Sequence, residues 1–427
     1  MAAKSRRIAI VITAISLTTA SPAAAAPGDL DPSFEDDGIV YTTFGRSAFA
    51  TAVALQSDLK IVVAGIAGRR DVKFAVARYL ADGSLDATFS DDGKLTTNIR
   101  LGGPDRASDV AIQPDGRIVV VGSTGRRGGQ FAAARYNPDG SLDTSFSGNG
   151  IVVTNFTRRS DFPHDVAIQS DAKIVVAGVA REGFVVDGRF AVVRYTPQGV
   201  VDTSFSSNGK IMTNFTGGAD GAFAMAIQAD DKIVAAGRAE LDGGRFALVR
   251  YNADGMRDPT FGVDGKVTSN FTRRDDVATG IALQPDGGIV LAGHGGGFRH
   301  HLFTLARYAT DGDLDPTFSG DGWLRHDVPG FDIARAVALQ ADGKIVVSGA
   351  GLSVGASCEE SMVVSRFASD GAIDTSFGDS GTVSLDFTVA QDAQDVLIQP
   401  DGKIVVGGGA KFCFSDAPFA VVRFLGS

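Results

Sequence analysis

The sequence predicts an all-β protein: a seven-bladed β-propeller of four-stranded blades, its N-terminal strand completing the last blade. Three observations carry this. Three motifs recur in fixed order, seven times each, 55 to 59 residues apart. Helical periodicity is missing throughout, while short runs of Val, Ile, Thr and Phe alternate with turn residues, many drawn from the 54 glycines. The chain also stops where an eighth copy of the first motif would begin, after starting with a copy that has no blade of its own.

Residues 1–25 stand apart. Lys4, Arg6 and Arg7 precede the apolar run "IAIVITAISLTTA" and the small-residue stretch "SPAAAA". This order is that of a secretory signal peptide, cleaved after Ala25, and the run is too short and wrongly flanked for a membrane span. The mature protein is therefore expected at residues 26–427 as one propeller domain, secreted or periplasmic, with no membrane span and as a monomer. Removing the leader takes the formal charge from −10 to −13. An acidic protein is a poor general binder of nucleic acid, so no nucleic-acid partner is expected.

The first motif, in its forms "GSLDATFSDDG", "GSLDTSFSGNG" and "GDLDPTFSGDG", starts at Gly28, Gly83, Gly140, Gly199, Gly255, Gly312 and Gly371. The second, clearest as "QPDGKIVVGG", places its Gln at 56, 113, 169, 228, 284, 340 and 399. The third, "FALVRYNADG", places its Arg at 78, 135, 194, 250, 307, 366 and 423. Each unit reads as four short strands. A "DVAIQ" strand is innermost, a tight turn such as Asp115-Gly116 leads to "RIVVVG", a variable loop leads to "FAAARY", and the first motif leads to an outer strand such as "GIVVTNF". Self-similarity at this period with four strands per unit describes a radial array. Residues 28–44 then supply the strand missing from the unit at 391–425, closing the ring and leaving no open sheet edge.

The pattern "GSLDxxF…DG", "QxDGKIVVxG" and "FxxxRYxxDG" resembles the delta-60 repeat, a β-propeller repeat of bacterial exported proteins. The resemblance spans the mature chain and implies seven blades. It implies no reaction.

The first motif reads as a structural turn. Leu85 and Phe89 can plug the space between sheets, its carboxylates can cap backbone N–H groups, and Asp86 recurs in step with Arg78 as an ion pair. Calcium at these Asp-rich turns is the competing reading, although the EF-hand spacing is not met; no other cofactor is expected.

Function is expected on the face where the second-to-third-strand loops and the blade-joining loops meet, because variable loops on a rigid frame carry binding. Arg69, Arg70, Arg126 and Arg127 are candidate ligand contacts there, since paired guanidinium groups grip anions in a fork. His294, Arg299, His300 and His301 fall in one such loop, "HGGGFRHH", without a recognised metal spacing. "GLSVG" around Ser353 fits G-x-S-x-G but lacks the strand–turn–helix context of a hydrolase. Cys358 and Cys413 occupy equivalent loops of adjacent blades and form a candidate disulfide. The expected role is binding or scaffolding toward an extracellular glycan or protein. A hydrolase or lyase acting on polysaccharide or phosphate esters is the alternative, disfavoured because the innermost strands read as small and apolar.

Overall fold

The computed structural model describes residues 25–45, 47–100, 102–125, 129–182, 187–297, 300–328, 332–352, 360–385, 391–410 and 417–426. Among them every regular element is a β-strand. In the first blade, β2 (Ala48–Leu55), β3 (Ile61–Ala67), β4 (Lys73–Tyr79) and β5 (Lys94–Thr97) form an antiparallel sheet in chain order. Strands β6 to β25 repeat that order in five more sheets. The last sheet is built from β26 (Gln391–Ile398), β27 (Ile404–Ala410), β28 (Phe419–Phe424) and, from the other end of the chain, β1 (Ile39–Thr42). Ile39 pairs with Val422 and Thr42 with Phe419, so the expected closure is formed.

The innermost strands β2, β6 (Asp105–Ile112), β10 (Asp161–Ile168), β14 (Gly221–Ile227), β18 (Val277–Leu283), β22 (Ile333–Leu339) and β26 pack around the axis, each against the next. Middle strands such as β3 and β7 (Ile118–Thr124) are buried at every position, because sheets cover both their faces. The core therefore lies between blades. Val62, Ala64, Phe74 and Val76 of one sheet meet Val110, Ile118, Val120 and Ala134 of the next.

The repeated first motif is the fastener between blades. Arg78 Nε donates to Asp86 Oδ2 at 2.8 Å, its guanidinium lies 4.7 Å from the centre of the Phe89 ring, and its Nη1 donates to the carbonyl of Pro138 in the following blade. Asp86 Oδ1 accepts from both the N–H and the hydroxyl of Thr88. Arg135, Arg194, Arg250, Arg307, Arg366 and Arg423 repeat the arrangement. Both oxygens of Asp86 are thus committed to protein donors.

The tight turn differs from the two-residue reading. Gln113 N–H bonds to Arg117 C=O and Gly116 N–H to Gln113 C=O, which makes a three-residue loop closed by a left-handed residue. Gly116 has φ 83°, and Leu59, Ala172 and Asp231 hold the same place in their blades at φ 66°, 66° and 62°.

Candidate functional site in the central channel

Each inner strand carries a register shift at the same place. In β6 it falls between Ala107 and Asp109, so Ser108 is an unpaired extra residue, a β-bulge. The recurrent glycine of the second motif permits it. A methyl group on Gly122 would overlap the carbonyl oxygen of Arg106, and the equivalent glycine of every blade meets the same backbone oxygen. The bulge aims one side chain per blade at the axis: Thr51, Ser108, His164, Phe223, Thr279, Arg335 and Gln394. The repeat leaves this position free to vary, and it varies in every blade but two. These seven residues line a cavity of about 590 Å³.

The position after the bulge is Asp in three blades. Asp395 Oδ2 accepts from Val53 N–H at 2.8 Å, Asp109 Oδ2 from Val166 N–H at 2.7 Å and Asp165 Oδ2 from Met225 N–H at 2.6 Å. Each carboxyl thus ties its blade to the next one it faces. Each also lies deep in the ring while keeping part of its surface open to the channel. Burial pushes Asp165 and Asp395 up to about 7; the charge of Asp395 adds to the first and that of Asp109 to the second. Asp109 is raised by burial and by the charge of Asp165, to which it is hydrogen-bonded. The inner strands are therefore not the small, apolar lining expected from the sequence: the aspartates stand just before the recurring "VAIQ", at a position the repeat does not keep constant.

The wall across from the arc is different. Ala224, Gly280 and Ala336 replace the aspartates there, and Arg335 Nη2 donates to the fully buried Asp392 at 2.9 Å. His164 stacks edge-on against Phe223, with ring centres 5.0 Å apart. Burial, helped by the charge of Arg181, lowers its pKa to about 4, so it is a neutral imidazole. His294 opens onto the same cavity from its blade's second strand.

The structure brings His294 and His301 together, their rings 5.0 Å apart and 18° from parallel. Burial, then the charges of His301, Arg335 and Arg238, lower His294 to about 3. Its Nδ1 is enclosed without a hydrogen-bond partner among the described residues. His300 pairs with Gly297 in a strand. Arg69 and Arg70 are exposed between β3 and β4. The two loop sets do share a face: Asp105 N–H bonds to Val72 C=O, and Gly125 N–H to Pro104 C=O. Arg126, Arg127, Arg299, Ser353, Cys358 and Cys413 lie outside the described residues. Among the described residues no group of three or more His, Cys, Asp or Glu is placed to hold a metal ion. None of their helices is long and apolar enough to cross a membrane.

The family described as "Domain of unknown function (DUF5122) beta-propeller" matches the chain at residues 56–89, 113–146, 169–205, 228–261, 284–318, 340–377 and 399–425, one match per blade. The chain belongs to the DUF5122 beta-propeller family. Six of the seven matched segments of this DUF5122 protein run from the tight turn to the Phe of the first motif, the seventh ends at residue 425, and all stop short of the bulge. No curated protein matches it in sequence. Among solved structures it is similar to an α-L-arabinofuranosidase from Fusarium graminearum, at 9% identity over 81% of this chain and 97% of that one, with a TM-score of 0.49. It is similar to Sqt1 from Chaetomium thermophilum, at 12% identity over 91% and 100%, TM-score 0.48. It is also similar to the polysaccharide lyase Uly1, at 13% identity over 88% and 89%, TM-score 0.45. Likeness at this level concerns the propeller and not what it binds.

Proposed function

We propose that this protein is an exported propeller of the delta-60 type that binds an extracellular glycan by its end, in the mouth of the central channel on the loop-rich face. The observation that carries this reading is the bulge ring. Seven backbone devices of one kind present two Thr, a Ser, a Gln, an Arg, a His and a Phe at one level around a cavity of about 590 Å³. Hydroxyl, amide and carboxyl groups beside an aromatic pair form a polyol-binding set, and the volume lies in the range of ligand pockets. A frame that spends its recurring residues on folding and frees one per blade suits recognition. Arg69 and Arg70 then flank the mouth rather than form the site.

The alternative, a hydrolase or lyase working from the same channel, draws on one observation: Asp109 and Asp165 lie together in the channel wall, where burial raises both carboxyls above their ordinary range, as in a general acid. One experiment serves both readings. The protein from Ala26 onward is screened on neutral, acidic and amine-bearing oligosaccharides, and bound species are then incubated with it and analysed for cleavage. Binding that falls when Phe223 or Gln394 becomes Ala, with no product, supports the binding module. Product that vanishes in Asp109→Asn supports the enzyme. Binding indifferent to Phe223, Gln394 and Asp109 would remove the channel from both.

A further inference from the structure

The channel has an excess of hydrogen-bond acceptors and of negative charge. The charged and titratable groups facing it are Asp109, Asp165, Asp395, His164, His294 and Arg335. Arg335 is the single cation among these, and its Nη2 is already committed to the fully buried Asp392 behind the wall. Arg181 and Arg238 stand behind the two imidazoles; Arg238 is paired with Glu240 and Asp275. Both imidazoles are neutral, so each offers one acceptor nitrogen as well as one donor. Each carboxyl accepts a backbone N–H of the next blade at Oδ2, and Asp395 Oδ1 accepts a second, from Val396, at 2.8 Å. A carboxylate has about four acceptor sites, so lone pairs remain unspent.

Independently of the carboxyls, the His294 Nδ1 on this wall is enclosed and has no protein donor among the described residues. His164, beside the Asp109–Asp165 pair, also makes no hydrogen bond among them; its contact is the Phe223 ring. An enclosed polar atom without a partner costs about 1–3 kcal/mol. The cavity therefore asks for donors, and for positive charge beside the arc.

We infer that the cavity takes an ammonium-bearing polyol, the chemistry of an amino sugar, with its ammonium against Asp109, Asp165 and Asp395 and its hydroxyls on the bulge ring. The sugar's apolar face lies on the His164–Phe223 pair, where the ring also attracts the neighbouring cation. This rests on the glycan reading above and gives it a substrate class. An anionic sugar fits less well: its carboxylate would have to displace Asp392 from Arg335 and sit opposite three carboxyl groups. An ammonium beside the arc favours the ionised form of its carboxyls, so complex formation releases protons from them.

The test is calorimetric titration of the mature protein with four probes: fully deacetylated chitotetraose, its N-acetylated counterpart, glucuronate and spermidine. The expected result is binding of the deacetylated tetramer about tenfold or more tighter than the N-acetylated one. The heat should depend on the ionisation enthalpy of the buffer, as proton release requires. Asp109→Asn and Asp165→Asn keep the oxygen that accepts the neighbouring N–H, and should lose that preference and the proton release while retaining a cooperative melt. Asp395→Asn is a second variant, should either fail to fold. Tighter binding of the N-acetylated tetramer or of glucuronate would overturn the inference and keep the glycan reading. Spermidine binding as tightly as the deacetylated tetramer would keep the ammonium site and sink the glycan reading. Equal affinity of the native protein and the three Asn variants for the deacetylated tetramer would overturn the placement in the channel.

Discussion

Arg423 Nε donates to Asp31 Oδ2 at 2.6 Å across 392 positions of sequence. Asp31 Oδ1 meanwhile accepts from the N–H and hydroxyl of Ser33, and Lys403 Nζ stands 3.2 Å from Oδ2. Arg423 covers the Phe34 ring at 4.5 Å and reaches the Ala81 carbonyl of the first blade. The unit is the same as that of Arg78 and Asp86, but here it joins the two ends of the chain and fixes the ring.

Arg423→Ala should therefore lower stability by about 3 kcal/mol, since it strands a buried carboxylate. Deleting residues 26–44 should be worse, because β28 then becomes an open edge. Urea unfolding measures the first. Size-exclusion chromatography reads the second, as oligomers or aggregate in place of the native species.

Asp31 also sets an acid limit. Burial alone would raise its pKa, but the Ser33 hydrogen bonds, Lys403 and the charge of Arg423 outweigh it and hold the carboxyl down to about 2. A carboxyl depressed in the folded state contributes stability above its unfolded pKa near 4 and loses it as pH falls toward 2. The midpoint of acid unfolding should move up in pH when Asp31 becomes Asn. Circular dichroism against pH checks this.

The channel carboxyls have the opposite sign. Asp165 is raised to about 7, so the folded state holds a proton that the unfolded chain gives up near pH 4. Its contribution to stability falls as pH rises between these values and is flat above. Asp165→Asn should melt higher than the native protein at pH 8, with the advantage shrinking as pH falls and gone only below about pH 4.

Tyr136 donates to Thr97 Oγ1 at 2.8 Å, from the third strand of one blade to the outer strand of the previous one. The sixth blade has Phe367 instead, packed edge-on against His326 at 5.3 Å. Tyr136→Phe leaves the Thr97 hydroxyl buried without this donor and should cost about 1–2 kcal/mol. Thermal melting resolves that change.

The tight turns offer a paired test. Gly116 sits at φ 83°, and Gly116→Ala should destabilise by about 1 kcal/mol. Leu59 occupies the same place at φ 66° with its side chain in solvent, so Leu59→Gly should change stability less and in the favourable direction. Denaturant midpoints of the two variants should move in opposite senses.

By itself the sequence determined the elements that seven copies spell out in the same residues. Recurrence placed the four strands, the Arg78–Asp86 pairing and the closure by residues 28–44, because each is a local device a blade cannot do without. It did not locate the channel. Strand alternation treats the residue before "DVAIQ" as one more member of a two-residue period, whereas the bulge opposite Gly122 turns Ser108 and its six counterparts onto the axis. Asp109, Asp165 and Asp395 lie 56 and 230 residues apart, and each alone reads as a turn or surface aspartate. Only closing the ring puts them in one low-dielectric space, where their charges act on one another and their pKa values rise.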